Sequence, residues 1–130
     1  MKLIVAMICA LLILTSSAFA ARIYVSAAGD NTDGLTWATA KHFVQDAIDL
    51  AAPDGEVWVA NGVYHENLTI PAGVELYGGF TYGDIDPAQR QPFPRMEMDP
   101  NASLLDGGAN GMPVVTNQSG MGTSTIDGFT

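Results

Sequence analysis

Asp106 and Asp127 are the residues of this 130-residue chain whose type and setting best suit chemistry. Each ends a short apolar segment and stands before a glycine, in Leu104-Leu105-Asp106-Gly107 and Thr125-Ile126-Asp127-Gly128. Aspartates repeated on stacked strands line up on one face, where paired carboxylates hold calcium or share acid and base duties. They are therefore the candidate metal ligands, with calcium the ion such oxygens take. The glycine after each also makes a turn or bulge, which explains them without chemistry. His65-Glu66 offers an acid and a base in sequence, but neighbours on a strand point to opposite faces and do not meet. His42 precedes the apolar pair Phe43-Val44 and borders a buried face. Trp37, Trp58, Tyr64, Tyr77 and Tyr82 carry rings that stack on sugars, although core packing is the default use of aromatics. Asn67-Leu68-Thr69, Asn101-Ala102-Ser103 and Asn117-Gln118-Ser119 match the glycosylation pattern, which acts only in a host that glycosylates asparagine. No acid/base pair stands in a convincing setting, so no catalytic residue is assigned. The chain alone is expected to lack glycosidase or lyase activity.

The elements that must position these residues follow from periodicity. Arg22–Ser26 alternates apolar and polar residues and reads as an opening strand. Residues 28–34 are dense in turn formers. From Thr39 to Ala52 the apolar residues Ala40, Phe43, Val44, Ala47, Ile48 and Ala51 recur at three- and four-residue intervals, which predicts an amphipathic helix ended by Pro53-Asp54-Gly55. The period then becomes two, predicting strands at Val57–Ala60, Tyr64–Ile70 and Val74–Phe80, with Asn61-Gly62 and Pro71-Ala72-Gly73 between them. Val57, Val59, Leu68, Ile70, Val74 and Leu76 would face one side; Trp58, Thr69, Glu75 and Tyr77 the other. Thr81–Ala102 holds four prolines and little periodicity, and reads as a loop inserted at 81–102. Strands resume at Ser103–Asp106, Pro113–Asn117 and Ser124–Thr130. Leu76-Tyr77-Gly78-Gly79, Leu105-Asp106-Gly107-Gly108 and Ile126-Asp127-Gly128-Phe129 end alike, and Val74–Phe80 aligns with Ser124–Thr130 at a shift of 50 residues. This pattern predicts stacked strand repeats. A repeat buries its apolar face against the next one, so a chain ending on such a strand is expected to stop after the first coils, with a bare edge that self-associates.

The ends and the charge narrow the setting. Met1-Lys2, an apolar run from Leu3 to Leu14 and the small-x-small triplet Ala18-Phe19-Ala20 have the layout of a signal peptide over residues 1–20. The run is shorter than the ~20 residues that span a bilayer, so no stable membrane insertion is expected after cleavage. Cleavage also removes Cys9, the sole cysteine, leaving residues 21–130 without a disulfide in an oxidising compartment. Outside the leader, Arg22, Lys41, Arg90 and Arg95 stand against fourteen acids. Such a surface repels nucleic acid and anionic membranes, yet calcium held by carboxylates can still bridge to an anionic polysaccharide.

In order, Ile23-Tyr24-Val25-Ser26, the Gly29–Trp37 loop, Gln45-Asp46-Ala47-Ile48, Val57-Trp58-Val59-Ala60, Gly62-Val63-Tyr64-His65-Glu66-Asn67, Leu76-Tyr77-Gly78-Gly79 and Ile126-Asp127-Gly128-Phe129 form a familiar series. It resembles the amino-terminal end of secreted right-handed parallel β-helix proteins of the pectate-lyase-like superfamily. The resemblance implies an all-β solenoid, a right-handed parallel β-helix with an amino-terminal capping α-helix over Thr39–Ala52. It also implies that catalytic and calcium-binding coils would lie further along than this chain reaches. The implied function is a secreted or cell-surface bacterial protein contacting extracellular or cell-wall polysaccharide. The alternatives are a polysaccharide lyase or glycoside hydrolase, and a structural adhesin or stalk. Asn31-Thr32-Asp33-Gly34 is similar to the opening of the polygalacturonase active-site motif. However, that motif places a further aspartate two residues after the glycine, where this chain has Thr36, and the segment precedes the helix. The same loop fails as an EF-hand, with Gly29 and Ala40 where acidic ligands belong.

Overall fold

The computed structural model describes residues 20–90, 100, 102–118 and 122–130. Residues 1–19, within the expected signal peptide over 1–20, and residues 91–99, within the expected loop over 81–102, lie outside them. So do Asn101 and Ser119, and with them the completeness of two glycosylation patterns. The described residues form β1 (Arg22–Val25), α1 (Val44–Ala51), β2 (Glu56–Ala60), β3 (Gly62–Tyr64), β4 (Leu68–Ile70), β5 (Glu75–Phe80), β6 (Ser103–Leu105), β7 (Val115–Asn117) and β8 (Thr125–Asp127).

All strand pairings are parallel. One four-stranded sheet runs β1-β2-β5-β8, and β3-β6 and β4-β7 form two further pairs. Ile23, Val57, Leu76 and Ile126 stand in one register across the large sheet, and Tyr24, Trp58, Tyr77 and Asp127 in the next. The likeness of Leu76-Tyr77 to Ile126-Asp127 is thus a direct pairing. Leu105 belongs to the β3-β6 pair instead.

The expected all-β solenoid is corrected. The described residues make a small mixed fold, with one helix and eight short strands in three small parallel sheets. No solenoid is detected among the described residues. The helix is also not a lid on a finished stack, because Val44, Ala47, Ile48 and Ala51 share one core with Ile23, Val57, Leu68, Val74 and Leu76. It supplies part of the interior itself.

The helix is shorter than its periodicity predicts. Phe43, placed inside it on the buried face, lies outside it and is 55% exposed. Residues before it are drawn to β1 instead, since Lys41 N donates to Tyr24 O (2.8 Å) and Ser26 N to Lys41 O (2.9 Å). Tertiary backbone pairing there outweighs a local preference for helix that is worth tenths of a kcal/mol per residue. The predicted strand Tyr64–Ile70 divides into β3 and β4, separated by a corner at His65–Asn67.

Candidate functional site

The outer face of the large sheet carries a second cluster, formed by Trp37, Trp58, Ala60 and Phe80 with Tyr24 and Tyr77 at its margin. Alternation along β2 puts Trp58 on the side away from Val57 and Val59, as the sequence predicts. The face is nevertheless covered. Phe80 stacks on Trp58 at 4.3 Å between centroids, and the Arg22 guanidinium lies 3.9 Å from the Trp58 ring centre. Glu56 accepts from both Trp58 Nε1 and Arg22 Nε, each at 3.1 Å. Trp37 Nε1 donates to Asp84 O at 2.7 Å, fastening residues 81–85 over the cluster. Trp37, Trp58 and Tyr64 are therefore spent on packing, while Tyr82 remains exposed and Tyr77 half-buried.

What stays open lies toward β5 and β8. Glu75 is level with Thr125, and Tyr77 with Asp127, one strand spacing apart. The Tyr77 hydroxyl donates to Glu75 Oε2 at 3.0 Å, and burial together with Glu75 raises its pKa above the ordinary phenol value. Arg90 reaches across from the short 3-10 turn at Pro87–Gln89. Its guanidinium lies 5.1 Å from the Tyr77 ring centre, and its Nη2 donates to Asp127 Oδ2 at 2.9 Å. Among the described residues its buried Nη1 has no hydrogen-bond partner. An orphan donor of this kind is unusual and marks a place where a charge is held incompletely paired.

The two candidate aspartates are not brought together. Asp127 is engaged by Arg90 on the large sheet. Asp106, just past β6, meets His65 Nδ1 at 3.1 Å and accepts from Gly108 N at 2.8 Å. Each carboxylate already faces a side chain that donates to it, and among the described residues no group of three or more His, Cys, Asp or Glu gathers as a metal would require. His65 and Glu66 diverge, but at the corner between β3 and β4 rather than by alternation along the strand the sequence predicts. His65 turns to Asp106, and Glu66 turns inward, its two oxygens accepting from Val44 N (2.7 Å) and Gln45 N (3.1 Å) at the helix N-terminus. His42 Nε2 is held on Gly29 O at 2.7 Å.

The Asn31–Gly34 loop is turn chemistry throughout. Asn31 takes a left-handed φ of 62°, and its side chain accepts from His42 N. Hydrogen bonds from the Thr39 side chain and Leu35 N hold the exposed Asp33 carboxyl below its ordinary pKa. Arg90 is the site residue that sequence reasoning missed. Its only signal was scarcity, as one of four cations beyond residue 20, and it sits in a segment with little periodicity. The His65–Asp106 pair was missed because its partners stand 41 residues apart in sequence and are made neighbours only by the pairing of β3 with β6, which sets Tyr64 level with Leu105. No family model, no curated protein and no solved structure matches the chain.

Proposed function

We propose that this is a secreted or cell-surface bacterial protein that contacts extracellular polysaccharide through the open part of its outer sheet face, around Tyr77, Arg90 and Asp127. The observation that carries this reading is the Arg90 guanidinium, which lies over Tyr77, bonds Asp127 and has one buried nitrogen with no partner among the described residues. A sugar needs an apolar ring face and several directed polar partners. Tyr77 and Tyr82 supply the first, and Asp127, Glu75, Thr125 and Arg90 the second. A carboxylate on the sugar would compete with Asp127 for the Arg90 Nη2 donor, which favours an anionic polymer despite the acidic surface. Calcium, if used, would act as a bridge between such a polymer and carboxylates of the chain.

Affinity electrophoresis on pectate, alginate and xylan, with and without calcium, tests the reading. Retardation on at least one polymer, weakened by Arg90→Ala and by Tyr77→Ala in variants whose circular dichroism is unchanged, is the expected result. Migration unaffected by every polymer, or retardation indifferent to both substitutions, refutes it. Self-association belongs to the same proposal, through the outer edge of β8, where Ile126 is 44% exposed.

A further inference from the structure

Two Asn-Gly steps occur in the chain, Asn61-Gly62 and Asn110-Gly111, and the fold treats them in opposite ways. At such a step the backbone nitrogen of the glycine can reach the asparagine side-chain carbon, because no Cβ stands in its way. At Asn61 the route is closed. Gly62 N donates to Ala102 O at 2.9 Å as part of β3, and Asn61 Nδ2 donates to Pro100 O at 2.9 Å. At Asn110 it is open. Gly111 is exposed, a Cβ built there would meet no atom within 4 Å, and among the described residues its N–H has no acceptor. The Asn110 amide is meanwhile oriented, with Oδ1 accepting from Met112 N at 3.0 Å and Nδ2 donating to Asn67 Oδ1 at 2.7 Å.

We propose that Asn110 is a self-modification site, deamidated by its own backbone, and that the reaction releases the 107–113 loop from the corner before β4. Gly111 N gives its proton to water or hydroxide and forms a bond to Asn110 Cγ. Charge develops on Oδ1, where the Met112 N–H already donates and so favours the tetrahedral intermediate. The Cγ–Nδ2 bond then breaks, and ammonia leaves with a proton returned from solvent. Water opens the resulting cyclic imide at either carbonyl, giving aspartate or isoaspartate. No oxidant or cofactor enters the balance. The product carries an acceptor where Nδ2 donated, so the bond to Asn67 Oδ1 is lost. Asn67 is the residue whose Nδ2 holds Pro113 O at 2.9 Å, so the loop loses one anchor and strains the other.

The test is incubation of the purified chain at 37 °C and mildly alkaline pH, natively and in denaturant, followed by peptide mapping by mass spectrometry. In the native chain Asn110 is expected to convert about tenfold or more faster than Asn61, a smaller factor than an enzyme's oxyanion donor supplies. In denaturant the two rates converge, since both are then plain Asn-Gly steps. Equal native rates, faster conversion at Asn61, or a native ratio unchanged by denaturant each overturn the proposal. Asn110→Asp, which mimics the main chemical change, is expected to speed proteolysis within 107–113. Cleavage there at the unmodified rate overturns the proposed release of the loop.

Discussion

Glu66 shows how one side chain can do what the local sequence does not. Phe43 stands at the position where a Ser, Thr or Asp normally caps a helix, and it offers no side-chain acceptor. Glu66 reaches in from the corner between β3 and β4 and takes two of the free N–H groups, placing its charge at the positive end of the helix. Glu66→Ala is therefore expected to cost about 1–3 kcal/mol, with Glu66→Gln milder because one oxygen still accepts. Urea unfolding of the three proteins checks the order. Tyr64 makes the second residue-scale prediction. Its ring is buried, its hydroxyl donates to Ala60 O at 2.9 Å, and burial pushes its pKa well above the usual phenol value. The phenol must stay neutral in the folded chain, whereas the unfolded one ionises near ~10. The folded pKa being the higher, this contribution is whole below ~10 and is lost as pH rises beyond it. Melting temperatures from pH 8 to 11 should fall more steeply for the native chain than for Tyr64→Phe, which starts lower for want of the hydrogen bond. Parallel curves would contradict this.

Among the elements, α1 and β4 are joined by a side chain acting as backbone. Gln45 donates through Nε2 to Thr69 O (3.1 Å) and accepts through Oε1 from Thr69 N (2.8 Å). It satisfies the edge of β4 that no strand covers among the described residues. Gln45→Leu is expected to cost about 1–3 kcal/mol, since it strands both backbone groups; Gln45→Glu should retain the bond from Thr69 N and lose the one to Thr69 O. Within β5 the backbone of Gly78 lies so close to that of Gly128 that a Cβ would stand 2.6 Å from the Gly128 oxygen. Gly78→Ala should cost about 2–4 kcal/mol by forcing β5 and β8 apart, with β8 the strand that yields. Much of this level was legible in the sequence. Alternation in Val57-Trp58-Val59 and Leu68-Thr69-Ile70 gave the strands and their inward faces, because period two leaves few alternatives. The helix start was not legible. Ala40 and Phe43 fit the helical spacing, but Lys41 gains two backbone hydrogen bonds, to Tyr24 of β1 and to Ser26 just past it, that no local pattern records. The corner that splits Tyr64–Ile70 was hidden for the same reason, since Glu66 and Asn67 owe their positions to Val44, Pro113 and Asn110.

At the scale of the molecule two apolar clusters lie on opposite sides of one sheet, and they should not be equal. The inner cluster draws on the helix and the strands of all three sheets; the outer one is largely aromatic and closed by the loop through Asp84. Ile48→Ala is expected to lose about 2–5 kcal/mol in a cooperative transition, while Trp37→Ala should chiefly loosen residues 81–90 and raise their protease sensitivity. Here the sequence misled most. Similar strand endings imply equal coils, whereas the helix enters the core and Leu105 pairs in a different sheet from Leu76 and Ile126. The proposed binding face was legible in part, through Tyr77 and Asp127, but Arg90 joins them only by crossing space. For self-association, light scattering should show particle size rising with concentration and reduced by Ile126→Lys; concentration-independent size would dismiss it. One further consequence lies in the order β1-β2-β5-β8. Helix α1 packs on β1, β2 and β4, while β8 pairs within the sheet with β5 alone. Amide protons should therefore exchange in a graded sequence, fastest along β8, later in β5 and last in β2, where each strand neighbour must leave before the next is exposed. The protein would come undone from one side, like a deck of cards dealt from the top.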